Sequence, residues 1–304
     1  MKGDVAIFER HRPRLLNIAY RMLGEMAAAE DVVQEAWLRW RTAETDDIRD
    51  PLAWLSTATV RLALDALRAA RARRESYVGP WLPEPILPED ARIFAADAPA
   101  EHAELASDLS LALMHILERL SPEERAALIL HDAFDFDYSE IATTLAKTEP
   151  ACRKLVSRAR ERVKTDRPRF TAKGDHHRDL LARFAKASAA ADARELAALF
   201  APEAIAYTDG GGRAKAALNP IYGADKVIRF IVGLASKFEF YDTLRWTTTE
   251  INGRPALVSI AEGDPLTAIT LESDGERITA VYVLRNPEKL KRLSRMLGWP
   301  SSPA

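Results

Sequence analysis

The sequence predicts a multidomain chain in which two all-α domains precede an α+β domain with an antiparallel sheet. Three observations carry this expectation. Residues 5–75 and 105–168 are rich in Ala, Leu, Arg and Glu, and their apolar residues recur at three and four positions. A proline-rich stretch with Pro80, Pro83, Pro85, Pro88 and Pro99 separates them. After about residue 175, turn dipeptides alternate with β-rich runs.

The 304 residues suffice for two or three domains. Hydrophobic residues at 47% and charged residues at 29% fit a globular protein with real cores. No apolar run approaches the ~20 residues that a membrane-spanning helix needs. Met1 to Arg14 is charged throughout and has no apolar segment of the kind a secretion signal carries. Cys152 is the only cysteine, which excludes an intramolecular disulfide and a cysteine zinc site. No metal or other cofactor is expected, and a cytoplasmic location fits. The net charge of −2 hides a basic cluster, Arg153, Lys154, Arg158, Arg160, Arg162, Lys164, Arg167 and Arg169, opposed only by Glu161 and Asp166. Arg68, Arg71, Arg73 and Arg74 form another, and the local field decides whether phosphates are attracted.

In the first helical domain, residues 1–75, Asp31, Gln34, Glu35 and Leu38 share one face, with Trp37 beside them. That pattern fits a surface for a partner helix pair, or an exposed polar stripe with Trp37 in the core. Trp54, Thr57 and Arg61 share another face. An aromatic ring to stack on unpaired bases and a cation for the backbone are what a melted strand requires, although Trp54 packed in the core fits as well. Arg68 and Arg71 suit duplex phosphates.

Residues 76–104 read as an extended linker. Within it, Trp81-Leu82-Pro83-Glu84-Pro85 suggests a stiff segment that docks in a groove, because preset proline dihedrals lower the ordering cost. Docking against the C-terminal domain and covering of a local apolar patch by Trp81 are both open.

Residues 105–168 are helical again. Ser121-Pro122-Glu123-Glu124 is a helix start. Asp137 to Ala146 reads as the first helix of a helix-turn-helix, with Lys147-Thr148-Glu149 as its turn. The second helix, Glu149 to Lys164, turns Ala151, Leu155, Val156 and Ala159 inward. It leaves Glu149, Arg153, Lys154, Ser157, Arg158 and Arg160 for bases and phosphates. On its own this segment also fits a helical hairpin with a solvated basic face.

Residues 175–295 form the last domain. Helices are expected at 176–191 and 193–200. Strands are expected at Thr243 to Ile251, Ala256 to Ala261, Thr267 to Leu271 and Arg277 to Leu284, with Asn252-Gly253 and Asp274-Gly275 as hairpin turns. Asp209 precedes Gly210, Gly211 and Gly212, a turn that permits close backbone approach.

These segments together resemble the extracytoplasmic-function sigma factors of bacterial RNA polymerase. Glu30 to Leu38 resembles the polymerase-binding helix of sigma region two. The resemblance thereby implies core-polymerase contacts at Asp31, Gln34, Glu35, Trp37 and Leu38. Trp54-Leu55-Ser56-Thr57, continuing through Arg61 to Arg68, resembles the segment that melts and reads the −10 element. Arg61 stands where many members carry asparagine, so their −10 details are not carried over. Leu120 to Arg125 and the helix-turn-helix resemble region four, which reads the −35 element.

Trp81-Leu82-Pro83-Glu84-Pro85, Asp209-Gly210-Gly211-Gly212-Arg213 and Asn286-Pro287-Glu288-Lys289-Leu290 are similar to the signatures of a subgroup with a fused SnoaL-like, cone-shaped α+β domain. Enzymes of this fold often use an Asp–His pair, but none of His11, His102, His115, His131, His176 and His177 lies in the strand region, so a regulatory rather than catalytic role is expected for that domain. Core RNA polymerase and promoter DNA are the implied partners. Trp81, Leu82, Pro83, Asp209, Gly210, Gly211 and Asn286 are the expected regulatory contacts. A pocket inside the cone, lined by Tyr207, Asp209, Trp246 and Tyr282 and open to a small-molecule or protein ligand, is a further expectation.

Overall fold

The structure is a computed structural model and describes residues 4–44, 48–74, 76–95, 108–166, 174–237, 245–260 and 266–299. The chain divides into two compact units. One comprises residues 1–76, 89–109 and 113–167, the other residues 77–88, 110–112 and 168–304.

The first unit is helical. Helices α1 (Val5–Leu23), α2 (Met26–Thr42) and α3 (Pro51–Arg74) pack on one another. The Asp4 carboxylate caps α1, and Gly24, left-handed at φ 71°, ends it. Helix α4 (Pro88–Ala95) follows the extended linker, then α5 (Leu111–Glu118), α6 (Pro122–Phe134), α7 (Tyr138–Leu145) and α8 (Glu149–Asp166). Reciprocal capping boxes, Ser121 with Glu124 and Asp137 with Glu140, start α6 and α7. Ala146 ends α7 in the left-handed region at φ 52°, where glycine is the easier residue.

Arginines bind the N-terminal helices to the later ones within this unit, Arg21 and Arg125 buried and Arg14 half-buried. Arg125 Nε donates to the Arg21 carbonyl at 2.8 Å and its Nη1 to Glu118 at 2.7 Å. Arg21 Nε donates to Asn17 at 2.8 Å, and burial lowers its pKa to about 10, leaving it charged at neutral pH. Arg14 lies over the Phe134 ring and donates to the Phe134 carbonyl at 2.8 Å.

The second unit is α+β. Helices α9 (Gly174–Ala189) and α10 (Ala193–Leu199) lead into β1 (Phe200–Asp209) and β2 (Ile221–Tyr222). Then come α11 (Ala224–Lys237), β3 (Arg245–Ile251), β4 (Arg254–Ile260), β5 (Thr267–Ser273), β6 (Ile278–Leu284) and α12 (Pro287–Leu297). Among the described residues, six strands order β2-β1-β6-β5-β4-β3. One sheet face packs on Leu180, Phe184, Leu196 and Val227 of α9–α11. The other face, with Val258, Ala268, Tyr282 and Leu284, takes Leu82 and Leu87 of the linker and Leu290 and Leu293 of α12. Leu111 and Ala112 also belong to that core.

The structure departs from the sequence reading in several places. The sheet is mixed, since β1 runs parallel to β6 while the other pairs are antiparallel. Strand β1 escapes recognition because Pro202 and Glu203 interrupt it and its core residues are mostly alanines, which signal strand poorly. Helices α11 and α12 were not anticipated either. The proline-rich stretch is extended only to Leu87, because Pro88 tolerates a first helical turn and Glu89 and Asp90 favour its positive end.

Candidate functional site

Asp209 ends β1 and is fully buried. Its Oδ1 accepts from the Tyr77 hydroxyl at 2.5 Å. Its Oδ2 accepts from the Leu82 backbone N–H at 2.9 Å and from Lys289 Nζ at 2.7 Å. Lys289, on the first turns of α12, also donates to the Leu82 carbonyl. Its ammonium lies 4.1 Å from the Trp81 ring centroid and 5.0 Å from that of Tyr77. A buried ion pair is tolerable only when further hydrogen bonds complete it, and here linker atoms supply them. Asn286 caps α12 through Glu288 N–H and donates Nδ2 to the Tyr77 oxygen at 2.9 Å. The linker is held a second time at Ile86, which exchanges backbone-to-Asn252 bonds of 3.0 and 2.9 Å. We call this arrangement the linker latch.

The glycines after Asp209 are required by space. A Cβ on Gly210 would lie 2.2 Å from the Ala214 carbonyl oxygen. On Gly211, left-handed at φ 58°, it would meet Asn286 Nδ2 at 2.3 Å. The structure thus brings together Trp81, Leu82, Pro83, Asp209, Gly210, Gly211 and Asn286, with Pro83 buried beside Leu82. Sequence reasoning missed Tyr77 and the linker contacts of Asn252 and Lys289. Lys289 lies inside the Asn286–Leu290 motif, but a lysine reads as solvated until its partner is seen.

The expected four-residue pocket does not form. Tyr207 and Tyr282 are register partners and stack at 5.4 Å, on the face covered by Leu82, Leu87 and α12. Trp246 pairs with Ser259 on edge strand β3, and strand alternation places it on the opposite face. Burial, with Glu272 and Tyr207 adding to it, pushes the Tyr282 phenol well above its ordinary pKa, so it stays neutral. His177 lies on α9, outside the strands. Its Nε2 is buried without a hydrogen-bond partner, and burial lowers its pKa to about 4.

In the helical unit, Asp31, Gln34 and Leu38 are exposed along α2 with Glu35 half-buried among them. Trp37 is half-buried and packs on Phe8 at 5.0 Å. Trp54 lies against Trp40 at 5.5 Å. The Thr57 and Thr144 hydroxyls are 3.2 Å apart. Arg61 donates to the carbonyls of Thr143 at 2.9 Å and Thr144 at 3.1 Å. Arg68 pairs with Glu123 at 2.7 Å. Thr57, Arg61 and Arg68 of α3 are therefore engaged by α6 and α7, while Trp54 packs on α2. Arg71 lies on α3, with its side chain outside the described residues.

On α8, Glu149, Arg153, Lys154, Ser157 and Arg158 are exposed, while Cys152, Val156 and Ala159 are buried. Burial pushes the Cys152 thiol up, away from a reactive thiolate. Arg153 bonds Glu149 at 3.0 Å and lies over the Tyr138 ring at 4.3 Å. Arg160 forks onto Asp132 of α6 at 2.9 and 2.5 Å, so it ties α8 to α6.

Comparison with known proteins adds family information to this geometry. Residues 7–73 match the Sigma-70 region 2 family and residues 110–163 match Sigma-70, region 4. The chain is 38% identical over 296 residues to the extracytoplasmic-function RNA polymerase sigma factor SigJ of Mycobacterium tuberculosis, covering 94% of this chain and 93% of SigJ. It is 31% identical to the probable sigma factor SigI of the same species, covering 96% and 97% of the two chains. The crystal structure of SigJ superposes with a TM-score of 0.72 at 35% identity, over 98% of this chain and all of SigJ. Among the described residues, no helix is long and apolar enough to cross a membrane.

Proposed function

Because this chain belongs to the extracytoplasmic-function sigma factors of bacterial RNA polymerase, we propose that its C-terminal domain sets initiation activity by holding or releasing the linker through the Asp209–Lys289 latch. As a sigma factor it binds core RNA polymerase and promoter DNA and directs transcription initiation, and it works in the cytoplasm beside that enzyme. Asp31, Gln34, Glu35, Trp37 and Leu38 meet core polymerase. Trp54, Thr57, Arg61, Arg68 and Arg71 serve the −10 element. Glu149, Arg153, Lys154, Ser157 and Arg158 face the −35 element, with Arg160 mainly bracing α8. In this assignment region two spans 1–75, the linker 76–104, region four 105–168 and the regulatory domain 175–295.

The observation that carries the proposal is the buried Asp209 carboxylate, which joins Tyr77, Leu82 and Lys289. Linker residues 77–88 continue covalently into α3 on one side and α4 on the other, so their order limits how regions two and four can separate. Thr57 and Arg61 must leave α7 before they can meet DNA. A fused domain acts at high effective concentration, so modest contacts suffice to bias such an opening. Catalysis has no part in the reading, since linker and α12 leucines fill the sheet face bearing Tyr207 and Tyr282.

Run-off transcription with core polymerase tests this, comparing the full chain with Asp209→Asn and Trp81→Ala. Both variants should shift output in the same direction and speed proteolysis of the linker. Full-chain variants are preferable to truncation, because removing the domain would expose Leu82, Leu87 and Leu111. Unchanged transcription with an unchanged proteolytic pattern in both variants refutes the latch.

A further inference from the structure

Beside the latch, Val78, Gly212, Arg213, Lys215, Ala217 and Leu218 line a cleft of about 350 Å³ within the C-terminal unit. Its walls differ in chemistry. Val78 and Leu218 are large apolar residues left 49% and 65% exposed. Arg213 and Lys215 supply two cations, and among the described residues that line the cleft none is a carboxylate. Covering the apolar pair would remove it from water, and the cations would orient a negative group there.

We propose that this cleft binds a small amphipathic anion, an apolar body bearing one carboxylate, and that its occupant reinforces the latch. This inference rests on the latch reading for its regulatory meaning but not for the binding itself. The cleft is preformed. The Thr208 hydroxyl bonds both the N–H and the carbonyl of Ala217, at 2.7 and 3.1 Å, and Arg285 donates to the Lys215 carbonyl at 2.7 Å. Gly212, left-handed at φ 70°, lets Val78 lie against the loop, because a Cβ there would sit 3.2 Å from Val78 Cγ2. A preformed loop loses little ordering entropy when it binds.

Arg213 has a competitor in Glu288 at 3.6 Å, but both side chains are largely exposed, at 65% and 46%. An exposed pair of this length is weak and yields to a carboxylate desolvated by apolar neighbours. The guanidinium fork suits that carboxylate, and Lys215 adds a point charge. The small volume selects a compact ligand. Coupling follows from chain order, since Val78 adjoins Tyr77, whose hydroxyl bonds Asp209. An occupant seated on Val78 must be lost when residues 77–82 leave, so it stabilises the latched state by linkage.

Calorimetric titration of the full chain with 1-naphthoate, against its neutral isostere 1-naphthamide, tests the site. Naphthoate should bind at least tenfold more tightly. The double variant Arg213→Gln/Lys215→Gln should erase that preference. Glu288→Gln, which frees Arg213, should tighten naphthoate two- to threefold. Saturating naphthoate should also slow amide exchange across residues 77–82. Equal affinity for the two compounds, or a preference that survives the double variant, overturns the site. If naphthoate binds with the stated charge dependence while Asp209→Asn leaves transcription unchanged, the site stands and the latch reading fails. If Asp209→Asn alters transcription and naphthoate shows no preference, the latch stands and the site fails.

Discussion

Arg61 on α3 donates two hydrogen bonds to the carbonyls of Thr143 and Thr144 at the end of α7, and so satisfies the negative end of a short helix. The neighbouring Thr57–Thr144 contact closes the same joint. This joint occupies the residues assigned to the −10 element, so loosening it from the α7 side should expose them without altering them. Thr144→Val keeps the shape and removes one neutral hydrogen bond, about 1 kcal/mol. Affinity for a −10 single strand, followed by fluorescence anisotropy, should rise up to about fivefold. An unchanged affinity would mean that the joint does not compete with DNA.

Lys289 and Asp209 are both buried, so removing either strands a charge. Lys289→Met and Asp209→Asn should each destabilise the C-terminal domain by about 3 kcal/mol. The double variant should cost clearly less than the sum, because neither charge is then left alone. Urea unfolding of the four proteins measures the coupling, and simple additivity would show that the pair does not act as a unit.

Gly211→Ala is expected to open the latch without touching a charge. The new Cβ would strike Asn286 Nδ2 and must also accept a left-handed backbone, which alone costs roughly 1 kcal/mol. Gly275→Ala is the control, since it is also left-handed, at φ 104°, but has open space around it. Amide exchange at Leu82 should accelerate in the first variant and remain native in the second.

The helical half was legible because its signals are local. Ser121, Asp137 and Pro150 mark helix starts, and apolar spacing marks the buried faces. The hairpin of β3 and β4 was legible for the same reason, through Asn252-Gly253. Strand β1 and the bonds that Asp209 makes in the latch were not, because both depend on distant partners. The parallel neighbour of β1 lies some seventy residues on in β6, and Asp209 meets a tyrosine 132 positions earlier. Asn252 shows the limit well. Its turn role is written in the dipeptide, but its bonds to Ile86 follow only from the fold.

His177 makes the C-terminal domain acid-sensitive. Unfolded, it gains a proton near pH 6.5, while in the fold it resists protonation to about pH 4. Between those values the unfolded chain binds more protons, so stability is full above pH 6.5 and falls as the pH drops. The loss should reach roughly 2 kcal/mol at pH 5. His177→Leu, which also removes the orphan Nε2, should flatten the dependence of urea midpoints between pH 7 and pH 5. An identical slope in the variant would assign the acid sensitivity elsewhere.

Arg158 and Arg160 lie two residues apart on α8 but should behave differently with salt. Arg158 is exposed, whereas Arg160 is forked onto Asp132, and the pairing raises its pKa further. A phosphate contact releases a counterion, so losing one lowers the slope of log affinity against log salt by about 0.9. Arg158→Gln should therefore reduce the slope for −35 duplex binding by about one unit, uniformly across sequences. Arg160→Gln should leave the slope near that of the native chain and instead loosen α8 from α6, lowering the thermal midpoint. Filter binding at several salt concentrations, with melting of each variant, separates the two. A full unit of slope lost with Arg160 would place its guanidinium on DNA in the complex and make the Asp132 fork a resting position.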